Sequence, residues 1–257
     1  MLPPLQAFTP PLQAFTDLQE CPSADALTRA VDRLTGPFGV SHWLYALDLP
    51  LVDDRRRQFT LGGYPQLWVE RYLEQDYLRI DPIVSHCHDR ATPLRWCDAV
   101  PTDQRVIDPH QQAIRRMFGE AGEFGLGAGV SIPLHGPGTH WGLMSFAGES
   151  GLNPELTRYL PYLHMLAHYV HESARRFIPT MFASPGPAVE LPHLTGRERE
   201  CLFWASAGKT SWEIGQLLGI SERTSVFHLQ NAARKLGVSG RQAAVARAVT
   251  MGLISTY

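Results

Sequence analysis

Residues 194–236, LTGRERECLFWASAGKTSWEIGQLLGISERTSVFHLQNAARKL, are punctuated as three short helices and two tight turns. Thr195 is a good N-cap, and Glu198 three residues later can return its hydrogen bond as a capping box. Leu202, Phe203 and Ala205 follow a helical period, and Gly208 stops that helix. Thr210 or Ser211 caps a second helix, whose stripe Ile214, Leu217 and Leu218 ends at Gly219. Ser221 caps a third, with Leu229, Ala232, Ala233 and Leu236 on one face, so that Gly219 to Ser221 is the turn of a helix-turn-helix. A three-helix packing domain without any DNA role would show the same caps and stripes. Charge separates the two readings. From Leu191 onward eight Lys or Arg stand against four Glu, a net +4, whereas the whole chain carries −2 and its remainder therefore −6. A basic terminal domain on an acidic body suits a phosphate-facing module.

At 257 residues with 44% apolar residues, the chain can bury a large core and divide into two domains. No apolar run approaches the roughly 18 residues of a membrane span. The opening MLPPLQAFTP has neither a basic region nor a cleavable apolar segment, so the expected location is the cytoplasm. Cysteines at 21, 87, 97 and 201 show neither CxxC spacing nor a paired framework and are expected as free thiols. His86, Cys87 and His88 are candidate metal ligands by residue type; neighbours two apart on a helix face away from each other, and the expectation is no metal. Residues 3–9 and 10–16 repeat PPLQAFT, and two prolines per copy suit an extended tail over 1–17.

From Ser23 the pattern Ala26, Leu27, Ala30, Val31, Leu34 predicts an amphipathic helix ended by Gly36 and Pro37. Strands are expected near 40–48 and 57–62, and Val130, Ile132, Leu134, the turn HGPGTH and Trp141 to Ala147 read as a hairpin. A long helix with Leu160, Leu163, Leu166 and Val170 closes a domain over 18–178. The Pro-, Ala- and Ser-containing segment 179–192 reads as a linker to a second domain over 193–257. The expected class is α+β: an amino-terminal α/β/α sandwich on an antiparallel sheet, followed by an all-α helix-turn-helix domain.

Within the first domain, residues 64–82 read YPQLWVERYLEQDYLRIDP and place Tyr64, Trp68 and Tyr72 at i, i+4 and i+8, one helical face. Aromatic residues at that spacing commonly form a core stripe. They can also wall a ligand pocket with two phenols and an indole N–H. Asp81, set before Pro82 and among Ile80, Ile83 and Val84, favours the pocket, because a carboxylate in such surroundings needs donors. The amide N–H of a bound molecule would be one.

The motifs LTxREREC, the segment from Trp204 to Lys209, SWEIG, the GIS turn and His228, Asn231, Lys235 and Leu236 resemble the LuxR-type helix-turn-helix over about the last quarter of the chain. The amino-terminal half is similar to the acyl-homoserine-lactone receptors of that type, particularly the LasR-like branch, at Tyr64, Trp68, Tyr72, Asp81, Pro82, Trp96 and Gly129 and in the runs VSHC and IPLHG. The resemblance implies a quorum-sensing transcription factor. Trp68 would donate to a lactone carbonyl, Asp81 accept from the amide N–H, and Tyr64 donate to the acyl carbonyl. Ser145 would add a polar contact, and Tyr72 and Trp96 would be apolar walls around an N-acyl-homoserine lactone of medium to long chain. Ile83 stands where that branch carries a hydroxyl.

For DNA, Lys209, Thr210 and Ser211 are expected at phosphate, and Val226, Phe227 and Gln230 in the major groove of double-stranded DNA. Arg223, Thr224, Arg234 and Lys235 are expected close by, the basic ones near the backbone. Ser225 and Val226 replace an apolar and a basic or polar residue of the family pattern. The expected partners are a homodimer's second copy on a palindromic promoter element, an autoinducer and RNA polymerase, with no membrane. Three other readings remain: a receptor of this fold for a non-lactone or host-derived signal, a phosphorylation-driven response regulator, and a lactone-cleaving hydrolase. The second lacks the receiver's order of acidic cluster, lone Asp and Lys. The third lacks HxHxDH and G-x-S-x-G motifs.

Overall fold

The computed structural model describes residues 12–50, 56–102, 108–136, 141–177 and 193–254. The chain divides into two compact units, which are taken one at a time. The expected linker 179–192 and the first copy of the heptapeptide lie outside the described residues.

The amino-terminal part begins with helix α1 (Leu12–Thr16) and a 3-10 turn to Glu20. The expected extended tail is thus corrected for the second heptapeptide copy. Proline is compatible with a helix start, and Phe15 and Leu18 are both buried, which stabilises by roughly 1.5–3 kcal/mol per side chain. Phe15 lies 5.1 Å from the Tyr162 ring and 5.5 Å from that of Tyr169. Helix α2 (Ala24–Thr35) is capped by Ser23, whose hydroxyl accepts from the Ala26 N–H at 3.1 Å, and it buries Leu27, Ala30 and Val31 as the periodicity predicts.

Strands β1 (His42–Pro50) and β2 (Arg56–Gly63) follow, then helices α3 (Gln66–Glu74) and α4 (Pro82–Asp89). The short strand β3 (Leu94–Arg95), α5 (Trp96–Ala99) and α6 (Pro109–Glu123) lead to β4 (Ala128–His135) and β5 (Trp141–Gly148). Helices α7 (Asn153–Arg158) and α8 (Leu160–Arg175) complete this part. The five strands form one antiparallel sheet in the order β2-β1-β5-β4-β3, with Leu94 opposite Ser131 and Arg95 opposite Val130.

Seven successive residues of β4, Ala128 to Leu134, are buried, so the sheet is covered on both faces. On one face Trp43 donates its indole N–H to Asp32 of α2 at 2.7 Å, and the Tyr45 hydroxyl meets His171 of α8 at 2.9 Å. On the other face Gly129 and Ser131, two residues apart and hence on one side of the strand, meet Trp96. That second face carries the candidate site.

The carboxy-terminal helices are α9 (Gly196–Ser206), α10 (Ser211–Leu218), α11 (Glu222–Lys235) and α12 (Arg241–Thr250). Thr195 and Glu198 form the predicted capping box, and Thr210 with Glu213 forms a second one. Gly208 and Gly219 end the first two helices with φ of +80° and +66°. Leu202, Ile214, Leu229, Ala232, Leu236, Ala244 and Ala248 share one core. Three stripe positions are corrected: Leu217 is half exposed, and Phe203 and Ala205 are only partly buried, whereas Cys201 is sealed in the core. Helix α12, whose repeated alanines give little apolar contrast, carries no signal in the periodicity reading. Among the described residues no helix is long and apolar enough to cross a membrane.

Candidate functional site

Helix α3 begins at Gln66 with Pro65 as its N-cap, so Tyr64 precedes the helix and does not share its face with Trp68 and Tyr72. The three still converge, because packing brings them to one place. Trp68 is buried, its ring edge-on to Tyr72 at 5.8 Å, stacked near Tyr77 at 6.1 Å and 5.9 Å from Phe124. Tyr64 stands edge-on to Trp96 at 6.3 Å. No acceptor for the Trp68 indole N–H is found among the described residues.

Asp81, only 9% exposed, sits in extended backbone before Pro82 and caps α4. Its Oδ1 accepts from the Ile83 N–H at 2.7 Å and its Oδ2 from the Tyr72 hydroxyl at 2.8 Å. Burial outweighs these neutral donors and raises the Asp81 pKa. Burial, with Asp81 as neighbour and acceptor, also pushes the Tyr72 phenol far up. Tyr72, expected as an apolar wall, is also a hydrogen-bond donor to the carboxylate. The side chain of Ile83 offers no hydroxyl, but its backbone does the work of a donor.

Trp96, also expected as a wall, likewise carries a hydrogen bond. Its indole N–H donates to Ser131 Oγ at 2.8 Å, and Ser131 and Ser145 hydroxyls lie 2.7 Å apart. Burial raises the Tyr64 phenol pKa, opposed by a hydrogen bond from Ser145. Gly129 lies flat under Trp96: a Cβ there would come within 2.2 Å of the indole, so any side chain would displace the ring. Beside this indole a cleft of about 420 Å³ is lined by Cys97, Val100, Arg115 and Phe118 among others. Ser131 escaped the sequence reading, since one serine in an alternating strand carries no signal until its cross-sheet neighbours are known.

His86, Cys87 and His88 separate. Cys87 is buried, with its thiol pKa pushed up to about 12, His86 Nε2 meets the Thr92 carbonyl at 2.7 Å, and His88 pairs with Asp89 at 2.6 Å. Among the described residues no three His, Cys, Asp or Glu side chains group as a metal site would require.

In the carboxy-terminal unit, α11 presents Arg223, Phe227 and Gln230 outward, Phe227 being 58% exposed; Thr224 and Val226 are half-buried beside them. Ser225 is sealed in the core with its hydroxyl 3.3 Å from the Ser221 carbonyl. The helix register therefore matches the family pattern, with a small polar residue in the apolar position. Lys235 departs from its expected place near a DNA backbone. Its ammonium donates to buried Glu198 at 2.8 Å and to the His193 carbonyl at 3.2 Å, because a carboxylate out of water demands a cation. Arg234 bonds Asn231 at 3.0 Å, and Lys209 lies 3.5 Å from Glu213. The Thr210 hydroxyl belongs to its capping box, which leaves Ser211 at the first turn of α10.

Residues 23–174 match the autoinducer binding domain, and residues 192–248 match bacterial regulatory proteins of the luxR family. The chain belongs to the LuxR family. It is similar to the transcriptional activator protein AhyR of Aeromonas hydrophila, 34% identical over 90% of this chain and 86% of that protein. It is also similar to RpaR, a quorum sensing-dependent transcriptional regulator of Rhodopseudomonas palustris, 35% identical over 90% of this chain and 89% of the relative. Escherichia coli SdiA shares the fold, with a TM-score of 0.68, 22% identity and coverage of 94% and 96%. This LuxR-family chain is a quorum-sensing transcriptional regulator with an autoinducer-binding domain and a DNA-binding helix-turn-helix.

Proposed function

We propose that the amino-terminal domain of this LuxR-family protein binds an N-acyl-homoserine lactone of medium to long chain. The observation that carries this reading is the pairing of opposites across one apolar site. Asp81 is a buried acceptor supplied only with neutral donors, and Trp68 is a largely buried indole whose N–H has no acceptor among the described residues. A head group with one N–H and two carbonyls answers both, with Tyr64 at the acyl carbonyl and Ser145 beside it. Each buried methylene of the chain adds about 0.8 kcal/mol, so a flexible tail is held by area.

In the carboxy-terminal domain, Phe227 and Gln230 would read base edges, with Arg223, Ser211 and Lys209 nearest phosphate and Thr224 and Val226 flanking. Lys235 serves the ion pair with Glu198. A homodimer would place two such helices on a two-fold operator, contact RNA polymerase from the cytoplasm, and gain stability from ligand by mass action. The lactone acts as a signal and not as a substrate.

Thermal melting of the purified full-length protein with short-, medium- and long-chain N-acyl-homoserine lactones tests this. A rise in Tm with one class, and stoichiometric recovery of intact lactone, are expected. Identical melting with every lactone would overturn the ligand assignment, and turnover would overturn the signalling role. Gln230→Ala should change base preference by about 1–3 kcal/mol at one operator position, whereas a uniform loss across sequences would show that another helix face reads the DNA.

A further inference from the structure

Helix α3 carries Trp68 and Tyr72 but is lightly held. Of its nine residues only Trp68 is buried, and Leu67, Val69 and Leu73 face solvent. Helix α6 is the firmer body, capped by Asp108 and seated through buried Ile114, Met117 and Ala121. The two helices meet at two neighbouring points. Trp68 lies 5.9 Å from Phe124 at the end of α6. One turn away on each helix, Arg71 grips Glu120 with a fork: Nε donates to Oε2 at 2.9 Å and Nη2 to Oε1 at 3.5 Å. Arg116 brings a second cation to 3.8 Å from the same carboxylate.

We propose that Glu120 is a positioning residue that, acting through Arg71, fixes the roll of α3 and so aims the Trp68 indole N–H at the lactone carbonyl of the ligand; this rests on the lactone reading above. The contact of Trp68 with Phe124 alone leaves the helix free to turn about its axis, because apolar attraction has no direction. A planar guanidinium fork does have direction, and it dictates where its carboxylate lies. Side-chain tips stand about 5–6 Å from a helix axis, so a roll of about 10° moves them by about 1 Å. That is enough to open a bond such as the 2.8 Å one from Tyr72 to Asp81. Among the described residues, the side-chain hydrogen bonds from α3 to other elements are those of Tyr72 and Arg71. The partner of Tyr72 belongs to the site itself, so Glu120 supplies the reference from outside it. An exposed ion pair adds little stability, so the effect belongs to binding geometry and not to Tm.

The test uses full-length protein and two probes, N-octanoyl-homoserine lactone and N-cyclopentyl-octanamide, which keeps the amide and the chain but lacks the lactone carbonyl. Wild type should favour the lactone by about tenfold, the worth of one hydrogen bond. Glu120→Met removes the acceptor at similar length, and Arg71→Met leaves Glu120 beside Arg116. Each should bind the lactone about tenfold more weakly with the other probe little changed, so that the preference collapses while the unliganded Tm holds. The double variant should lose no more than either single one, because the two residues form one link. Equal loss for both probes, an unchanged preference, or losses that add in the double variant would overturn the positioning role. If one single variant is unstable, the other gives the same reading of the preference. Binding of neither probe by wild type would overturn the lactone reading and this role with it, whereas equal binding of both probes by wild type would overturn the aim of Trp68 and so this role alone.

Discussion

Among the described residues, each unit holds one buried carboxylate at the start of a helix, and the two are set in opposite electrostatic surroundings. Asp81 caps α4 and receives only neutral donors, the Ile83 N–H and the Tyr72 hydroxyl, so burial keeps its pKa above the usual aspartate range. Glu198, 4% exposed, closes the capping box of α9. Burial pushes it upward too, but the Lys235 ammonium at 2.8 Å and the Thr195 N–H at 2.7 Å bring it below the usual glutamate range. A carboxylate with a cation is a finished piece of structure. One without a cation is held in readiness for another donor, which is how a binding site differs from a brace.

The largest expected effect breaks the brace. Lys235→Met should cost the carboxy-terminal unit about 3 kcal/mol, the low end for a broken buried pair because Lys235 keeps some contact with water. Urea unfolding measures this, and adding Glu198→Leu should return part of it; a loss of only a few tenths would place the pair among ordinary surface bridges. Next, Asp81→Asn should weaken lactone binding by roughly ten- to a hundredfold, about 1.5–3 kcal/mol for a hydrogen bond to a charged acceptor. The same change should leave the Tm of the unliganded protein unchanged or raised, since it removes an uncompensated charge. If the unliganded Tm instead drops as far as with Lys235→Met, Asp81 is a brace as well.

Acid should act on the two carboxylates with opposite sign. Because the folded pKa of Glu198 is lowered, its stabilisation is present above the ordinary value of 4.5 and is lost as pH falls through the folded value. Because that of Asp81 is raised, its contribution is fully present below the ordinary value of 3.8 and is lost as pH rises through the folded value. Lactone affinity needs the charged acceptor, so it should fall on acidification by at most about tenfold per pH unit. Calorimetric titration across mildly acidic pH reads this slope, and a flat profile would remove Asp81 from the ligand's contacts. The smallest effect concerns Lys209, whose exposed pairing with Glu213 predicts no resolvable change in the urea midpoint on Lys209→Ala. Its signature should be a shallower salt dependence of DNA binding, by about one unit of the log–log slope.

The sequence alone determined the elements whose hydrogen bonds close within a turn. Ser23, Thr195 and Ser221 each cap the helix that follows them, Gly208 and Gly219 end theirs, and the alternation in 130–134 marks a strand, because these signals involve residues two to four positions apart. Asp81 was legible for the same reason: Pro82 fixes its backbone and its neighbours are apolar. Tertiary structure alone decided what partners each polar group. Trp96 meets Ser131 across 35 positions, Ser131 meets Ser145 across 14, and Lys235 meets Glu198 across 37. A side chain's chemistry shows that it needs a partner once buried, but strand register and helix packing choose which one. That choice gave Tyr72 and Trp96 hydrogen-bond acceptors and Lys235 a buried carboxylate.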